Sequence, residues 1–133
     1  MASIFTKIIN GDIPSFKVAE SGEFLAFLDI MPLEKGHVLI VPKKEVDYIF
    51  DLDVNTYEGL WNFSKQVSLA LKKAIECKRI GIAVVGLEVP HAHVHLIPLQ
   101  TGAINFSNPK LKFSNEELRS IAERIAKEFK LLS

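Results

Sequence analysis

The spacing of apolar and polar residues changes several times along the chain, and each change predicts an element. A short helix is predicted over Ser3 to Ile9, with Ser3 as N-cap and Asn10-Gly11 as the stop. Ile13-Pro14 leads into a strand around Phe16 to Glu20. Ser21-Gly22 then reads as a turn, and Glu23 to Asp29 as the return strand of a hairpin that Met31-Pro32 breaks. After Lys35-Gly36, the run His37-Val38-Leu39-Ile40-Val41, closed by Pro42, is nearly all apolar and rich in β-branched residues. That pattern predicts a central strand covered on both faces.

Asn55 with Glu58 three residues on reads as a capping box opening a helix. Its stripe is Tyr57, Leu60, Trp61, Ser64, Val67, Leu71, Ala74 and Ile75, with Trp61 read as core. Ile80 to Val85 and His91 to Ile97 are predicted strands, the second ended by Pro98. Residues 99 to 113 read as loop with a short element near Asn105-Phe106. Ser114 with Glu117 is a second capping box, starting a helix over 114–131 with the stripe Leu118, Ile121, Ala122, Ile125 and Phe129. Glu116, Arg119, Glu123, Arg124, Lys127 and Glu128 form its solvated face. The order is helix, three strands, helix, two strands, helix, which predicts an α+β fold with an antiparallel sheet packed by helices. One domain over 1–133 is expected, the last helix being an appended packing element.

Composition narrows the function. Apolar residues make up 48% of the chain and the charges balance at 16 each, which excludes disorder and removes the charge excess that drives nonspecific nucleic-acid binding. No nucleic-acid partner is therefore expected. No uncharged apolar run approaches the roughly 20 residues of a membrane span, so no membrane association is expected either. The start, Met1-Ala2-Ser3-Ile4-Phe5-Thr6-Lys7, lacks the features of a signal peptide. The single cysteine, Cys77, has no intramolecular disulfide partner and reads as a packing residue, so a reducing cytoplasm is the expected setting.

The candidate chemistry lies in His91-Ala92-His93-Val94-His95, which holds three of the four histidines. Strand alternation would place the three imidazoles on one face and Ala92, Val94 and Leu96 on the other, a plausible core face. A fold gains little from such a row, so function is the economical reading. One use is metal binding. At a rise of about 3.3 Å per residue, His91 and His95 would lie about 13 Å apart, too far for all three to share one ion. His37 is the remaining histidine, and there is no CxxC or HExxH, so no metal and no cofactor is expected. The other use is phosphoryl or nucleotidyl chemistry. A central neutral imidazole can attack phosphorus while flanking donors hold the non-bridging oxygens. A backbone carbonyl accepting from its Nδ1–H would aim the Nε2 lone pair, and the chain at His91 could offer one.

The run His91-Ala92-His93-Val94-His95-Leu96-Ile97 resembles the histidine-triad (HIT) pattern of alternating histidine and apolar residues. The likeness extends over residues 3 to 98. Ile4-Phe5, Lys7-Ile8-Ile9 and Ile13-Pro14 resemble the family's N-terminal segment. Leu25-Ala26-Phe27-Leu28-Asp29-Ile30-Met31-Pro32 resembles its next strand end, and Gly36-His37-Val38-Leu39-Ile40-Val41-Pro42-Lys43-Lys44 its following strand. The chain is similar to the Hint-like nucleotide-binding branch of bacterial-type HIT proteins.

The resemblance implies a HIT-like fold whose five-stranded antiparallel sheet extends across a homodimer, through the Trp61 helix and the strand over Ile80 to Val85. It implies a small-molecule nucleotide substrate, an AMP ester or phosphoramidate cleaved at the α-phosphate, with a nucleotidyl intermediate on His93. His95 would contact the phosphate, and His91 and His37 would orient the central imidazole and support its charge. Asp29 would accept hydrogen bonds from ribose hydroxyls. Val18, Phe27, Ile30 and Leu39 would wall the base pocket, or serve as plain core. The stretch Val85-Gly86-Leu87-Glu88-Val89-Pro90 is shorter than in Hint-like relatives. Glu88 stands where a serine is expected, facing a cationic leaving group or pointing to solvent. Where some bacterial relatives hold a structural zinc, this chain has Ser3, Thr6 and Glu45, so no zinc is expected. The alternative is a purine-nucleotide-binding regulatory module with little turnover.

Overall fold

The computed structural model describes residues 2–132; Met1 and Ser133, the ends of the expected domain, lie outside the described residues. Helix α1 (Ile4–Ile9) is capped by Ser3, whose hydroxyl accepts from the Thr6 N–H. Strands β1 (Lys17–Glu20), β2 (Phe24–Leu28) and β3 (Val38–Pro42) follow. After a short 3-10 turn (Ile49–Asp51) come helix α2 (Val54–Ala74), strands β4 (Arg79–Ala83) and β5 (Val94–Leu99), and helix α3 (Asn115–Leu132). The strands make one antiparallel sheet in the order β1-β2-β3-β5-β4. The expected α+β architecture is therefore present. No described helix is long and apolar enough to cross a membrane.

Every residue of β2 and β3 is buried, because both faces of the sheet's middle are covered. Phe24, Ala26, Leu28, Val38, Ile40, Val94 and Leu96 form one core with α2 and α3. Leu25, Phe27, Leu39 and Val41 form a smaller one beneath Phe5 and Ile8 of α1. Alternation along each strand sorts the residues between these two cores. Helix α3 places Leu118, Ile121, Ala122 and Ile125 in the main core, and Arg124 donates to the Ala74 carbonyl at 2.6 Å, so this helix is built into the domain.

Several boundaries differ from the expected ones, β4 among them, which runs Arg79–Ala83 rather than Ile80 to Val85. Helix α2 starts two residues early because the Asp53 carboxylate, rather than Asn55, accepts the Thr56 N–H at 3.2 Å. Its buried face includes Phe63 and Ala70, while Trp61 is half-buried at the rim. Strand β5 begins at Val94, not His91. The backbone before it is engaged locally: His91 N–H bonds the Val89 carbonyl and Ala92 N–H the Val46 carbonyl. Strand β5 also runs through Pro98. Beyond Leu96 it has only β4 as a neighbour, so the missing N–H interrupts no ladder on the other side. Near Asn105-Phe106 there is an Asx turn, with the Ser107 N–H on the Asn105 side chain at 2.9 Å. The Ser114–Glu117 capping box forms as expected.

The cap assignment predicts that Asp53→Ala lowers stability by about 1 kcal/mol, whereas Asn55→Ala changes it by less than about half that. Urea unfolding of both variants measures the difference; a larger loss at Asn55 would return the cap to that residue.

Candidate active site

The site is built where the segment before β5 meets the turn between β2 and β3. That turn closes on itself. The Asp29 N–H bonds the His37 carbonyl at 3.0 Å, and the His37 N–H bonds the Glu34 carbonyl at 3.1 Å. Gly36 has φ +88°, and a Cβ there would meet Ile75 at 2.9 Å, so the sharp entry into His37 requires glycine. Asp29 accepts the Met31 N–H on Oδ1 at 2.9 Å and turns Oδ2 to within 3.8 Å of His37 Nε2.

Hydrogen-bond partners fix the state of each imidazole. The Leu33 N–H donates to His37 Nδ1 at 3.1 Å, so the proton of neutral His37 sits on Nε2. That Nε2–H donates to His95 Nδ1 at 3.0 Å, which leaves His95 with its own proton on Nε2. His91 donates Nε2–H to the Pro42 carbonyl at 2.8 Å and accepts from the Ser3 hydroxyl on Nδ1 at 2.8 Å. His93 has the opposite tautomer: Nδ1–H donates to the His91 carbonyl at 2.8 Å. Its Nε2 carries a lone pair, has no partner among the described residues, and is not sealed from solvent.

Only His95 lies inside the strand, yet the rings line up. His93 and His95 are edge-on with centroids 5.0 Å apart, and Phe5 packs on both His91 and His93. Ala92, Val94 and Leu96 point into the main core. His93 is 6% exposed but lines two cavities. One, of about 230 Å³, also takes in Glu88, His95 and Phe106. The other, of about 520 Å³, is walled by residues such as Trp61, Ile82 and Leu87.

Burial disfavours the charged form of His37, His91 and His95. Burial lowers His37 to about 3, helped by the neighbouring His95 and Lys110. Burial likewise lowers His95 to about 4, with His93 and Lys110 adding to it, and brings His91 below its usual value. Asp29 moves the other way: burial raises it against the Met31 N–H and Lys110. Its Oδ2 has no hydrogen-bond partner among the described residues, His37 Nε2 being 3.8 Å away.

His37 therefore orients His95, not the central imidazole; His93 is aimed by the backbone of His91 rather than by its ring. Phe27 and Leu39 lie together beneath α1, Ile30 is 63% exposed, and Val18 is buried with the helix-side core, apart from the other three. Glu88 is exposed at the rim of the smaller cavity. Ser3, Thr6 and Glu45 meet His91 in one hydrogen-bonded cluster. Ser3 N–H and the Thr6 hydroxyl both donate to Glu45, and, Ser3 first, hold its carboxyl down to about 2. Asp29, His37 and His95 come close enough for a metal ion. Their donor set fits one poorly: Nε2 of His37 must carry the proton while Leu33 donates to Nδ1, and an ion needs that lone pair. Phe106 and Lys110 also reach the site, from a stretch whose sequence read only as loop; no periodicity marked them.

Comparison with known proteins follows the same lines. The family model for the HIT domain matches residues 10–102. The protein named adenosine 5'-monophosphoramidase in Schizosaccharomyces pombe is 32% identical over 137 residues, covering 98% of this chain and all of that one. A crystal structure of a Hit-like protein from Bartonella henselae superposes with a TM-score of 0.84 at 32% identity, covering 95% of each chain. One from Sulfolobus tokodaii, described as a hypothetical histidine triad nucleotide-binding protein, gives 0.87 at 28%, covering 97% of this chain and 93% of that one.

Two measurements check this geometry. Histidine ¹⁵N shifts at pH 7 are expected to show Nδ1–H for His93 and Nε2–H for His37, His91 and His95; any other tautomer at His93 would contradict the hydrogen bonding. In the unfolded chain these rings titrate near 6.5, so below that pH the unfolded state takes up protons that His37 and His95 do not. Stability is then complete above pH 6.5 and falls as the pH drops towards 4, with His37 alone contributing a slope of up to about 1.4 kcal/mol per pH unit. Urea unfolding at pH 7, 6 and 5 reads this, above the range where most carboxylates titrate.

Proposed function

Because this chain belongs to the HIT-domain family, we propose that it is a purine-nucleotide hydrolase or transferase acting at the α-phosphate of nucleoside monophosphate conjugates, AMP phosphoramidates foremost. The observation that carries the reading is the 2.8 Å bond from His93 Nδ1–H to the His91 carbonyl. A bystander histidine needs no such lock, whereas a nucleophile needs its Nε2 lone pair presented in one direction.

In this reading the nucleotide lies with its phosphate against His93 and His95. Asp29, with one carboxylate oxygen still short of donors, accepts from the ribose hydroxyls. Phe27, Leu39 and Ile30 wall the base. Nε2 of His93 attacks phosphorus, and the P–N bond breaks. The amine leaves with the electron pair and takes a proton from solvent. His95 Nε2–H steadies a non-bridging oxygen through both steps. Water then attacks phosphorus and gives up a proton to solvent, the P–Nε2 bond breaks, and its electron pair returns to the ring. His37 keeps His95 a donor, and the ring of His91, tied to Pro42 and Ser3, keeps its carbonyl on His93. Glu88 borders the leaving-group side.

The working unit in this reading is a homodimer. Strand β4 is an open sheet edge, and beside it Ile82, Val85, Leu87, Tyr48 and Phe50 are exposed. An unpaired edge flanked by apolar side chains suits a second copy that continues the sheet.

His93→Ala is expected to cut turnover of an adenosine phosphoramidate by at least about 10³-fold while AMP binding persists. Mass spectrometry of the quenched wild-type reaction should find the nucleotide on His93. Unchanged turnover in the variant would refute the assignment, and tight AMP binding with no turnover by the wild type would favour a regulatory module. Equilibrium sedimentation should give twice the 14.9 kDa chain mass; a monomer would remove the dimer.

A further inference from the structure

Four imidazoles bring donors and a lone pair to the site, but those of His37 and His95 carry no positive charge at neutral pH. A phosphate arrives with at least one full negative charge, and the carboxylates of Asp29 and Glu88 border the place where it would sit. Neutral donors can hold a phosphate, but a hydrogen bond from a cation is shorter and stronger, so a nearby ammonium would tighten the hold.

The loop between β5 and α3 supplies one. Phe106 sets its ring edge-on against His95, centroids 4.9 Å apart, and closes one side of the small cavity beside His93. Lys110 folds back over that ring. Its Nζ lies 6.0 Å from the ring centroid and donates to the Phe106 carbonyl at 2.6 Å. The next residue, Leu111, donates its N–H to the Pro32 carbonyl at 2.8 Å, tying the loop to the turn that carries Asp29 and His37. An ammonium has three N–H groups, and the Phe106 carbonyl takes one. Among the described residues no carboxylate pairs with Lys110. Its charge nonetheless reaches all three neighbours: it opposes the burial that raises Asp29 and adds to the burial that lowers His37 and His95.

We propose that Lys110, held over the site by the Phe106 turn, is the phosphate-binding cation of this protein, its two free N–H groups taking a non-bridging oxygen of the bound nucleotide. The inference rests on the nucleotide reading above and goes beyond it by assigning the charge that pays for desolvating the phosphate. It makes the site selective for nucleotides over nucleosides through a residue outside the histidine row. The Phe106 carbonyl then acts as a tether, limiting the lysine to the space beside His95.

Titration of the full chain by ¹H–¹⁵N NMR with AMP and, separately, with adenosine tests this in the wild type, Lys110→Gln and Lys110→Arg. Lys110→Gln should weaken AMP about 10- to 100-fold, the range for losing one charge-assisted bond, and leave adenosine unchanged. Lys110→Arg should restore most of the AMP affinity, and the fall of AMP affinity with salt should be shallower in Lys110→Gln. Unchanged AMP affinity in Lys110→Gln would overturn the proposal. So would equal weakening of AMP and adenosine, because the loop would then be only a structural strap. A wild type that binds neither ligand overturns the nucleotide reading and this inference with it. A wild type that binds AMP, with Lys110→Gln unaffected, removes the inference alone.

Discussion

The hydrogen bond from His93 Nδ1–H to the His91 carbonyl decides which nitrogen of the central ring faces the cavity, and much of the surrounding structure serves to hold it. That carbonyl can aim the ring only if His91 itself does not move. Its ring is fully buried and tied at both nitrogens, to the Pro42 carbonyl and the Ser3 hydroxyl. Pro42 closes β3, and Ser3 caps α1. The central strand, the first helix and the Thr6–Glu45 contacts thus bear on one bond length. The backbone gives up strand pairing at His91 to make this possible, which is why β5 starts later than its residues suggest.

A second relay runs beside the first. Leu33 N–H, His37 and His95 form a chain in which each proton position determines the next, ending in a donor at His95 Nε2. Two adjacent rings of opposite tautomer result, one offering a lone pair and the other a proton. Burial disfavours the charged form of His37, His91 and His95, and a neutral ring is what gives each a defined tautomer. The same burial destabilises the protein in acid and strips the site of positive charge. In the proposal above, the ammonium of Lys110 in the neighbouring loop offsets that deficit.

The two-sided sheet explains how such a site can be carried at modest expense. Helices α2 and α3 cover the middle of one face, so Ala92, Val94 and Leu96 anchor the histidine segment in a well-packed core. The other face needs only Phe5 and Ile8 of α1 to cover its middle. The remainder of that face is left for polar side chains and an open cavity.

Much was legible in the residues themselves. Period and capping chemistry located the helices and strands, because the 3.6 and 2.0 repeats and the Ser3 and Ser114 caps are local effects. The histidine spacing marked the site, and the pairing of His91 and Ala92 backbone groups could not be seen in it. Asp53 displaced Asn55 as a cap because both are good caps two residues apart, and only the path of the incoming chain chooses between them. Val18 left the base-pocket set because a bulge between Lys17 and Ala19 changes which face it joins. The tautomers depend on Leu33 N–H, Pro42 carbonyl and His91 carbonyl, backbone groups that every sequence contains. Phe106 and Lys110 come from an aperiodic loop folded back over the site. The chain alone thus determined the elements and the histidine-rich segment, which follow from side-chain type and spacing. Only the tertiary structure decided where each proton sits and which charge stands beside it, because those depend on distances between groups far apart in sequence.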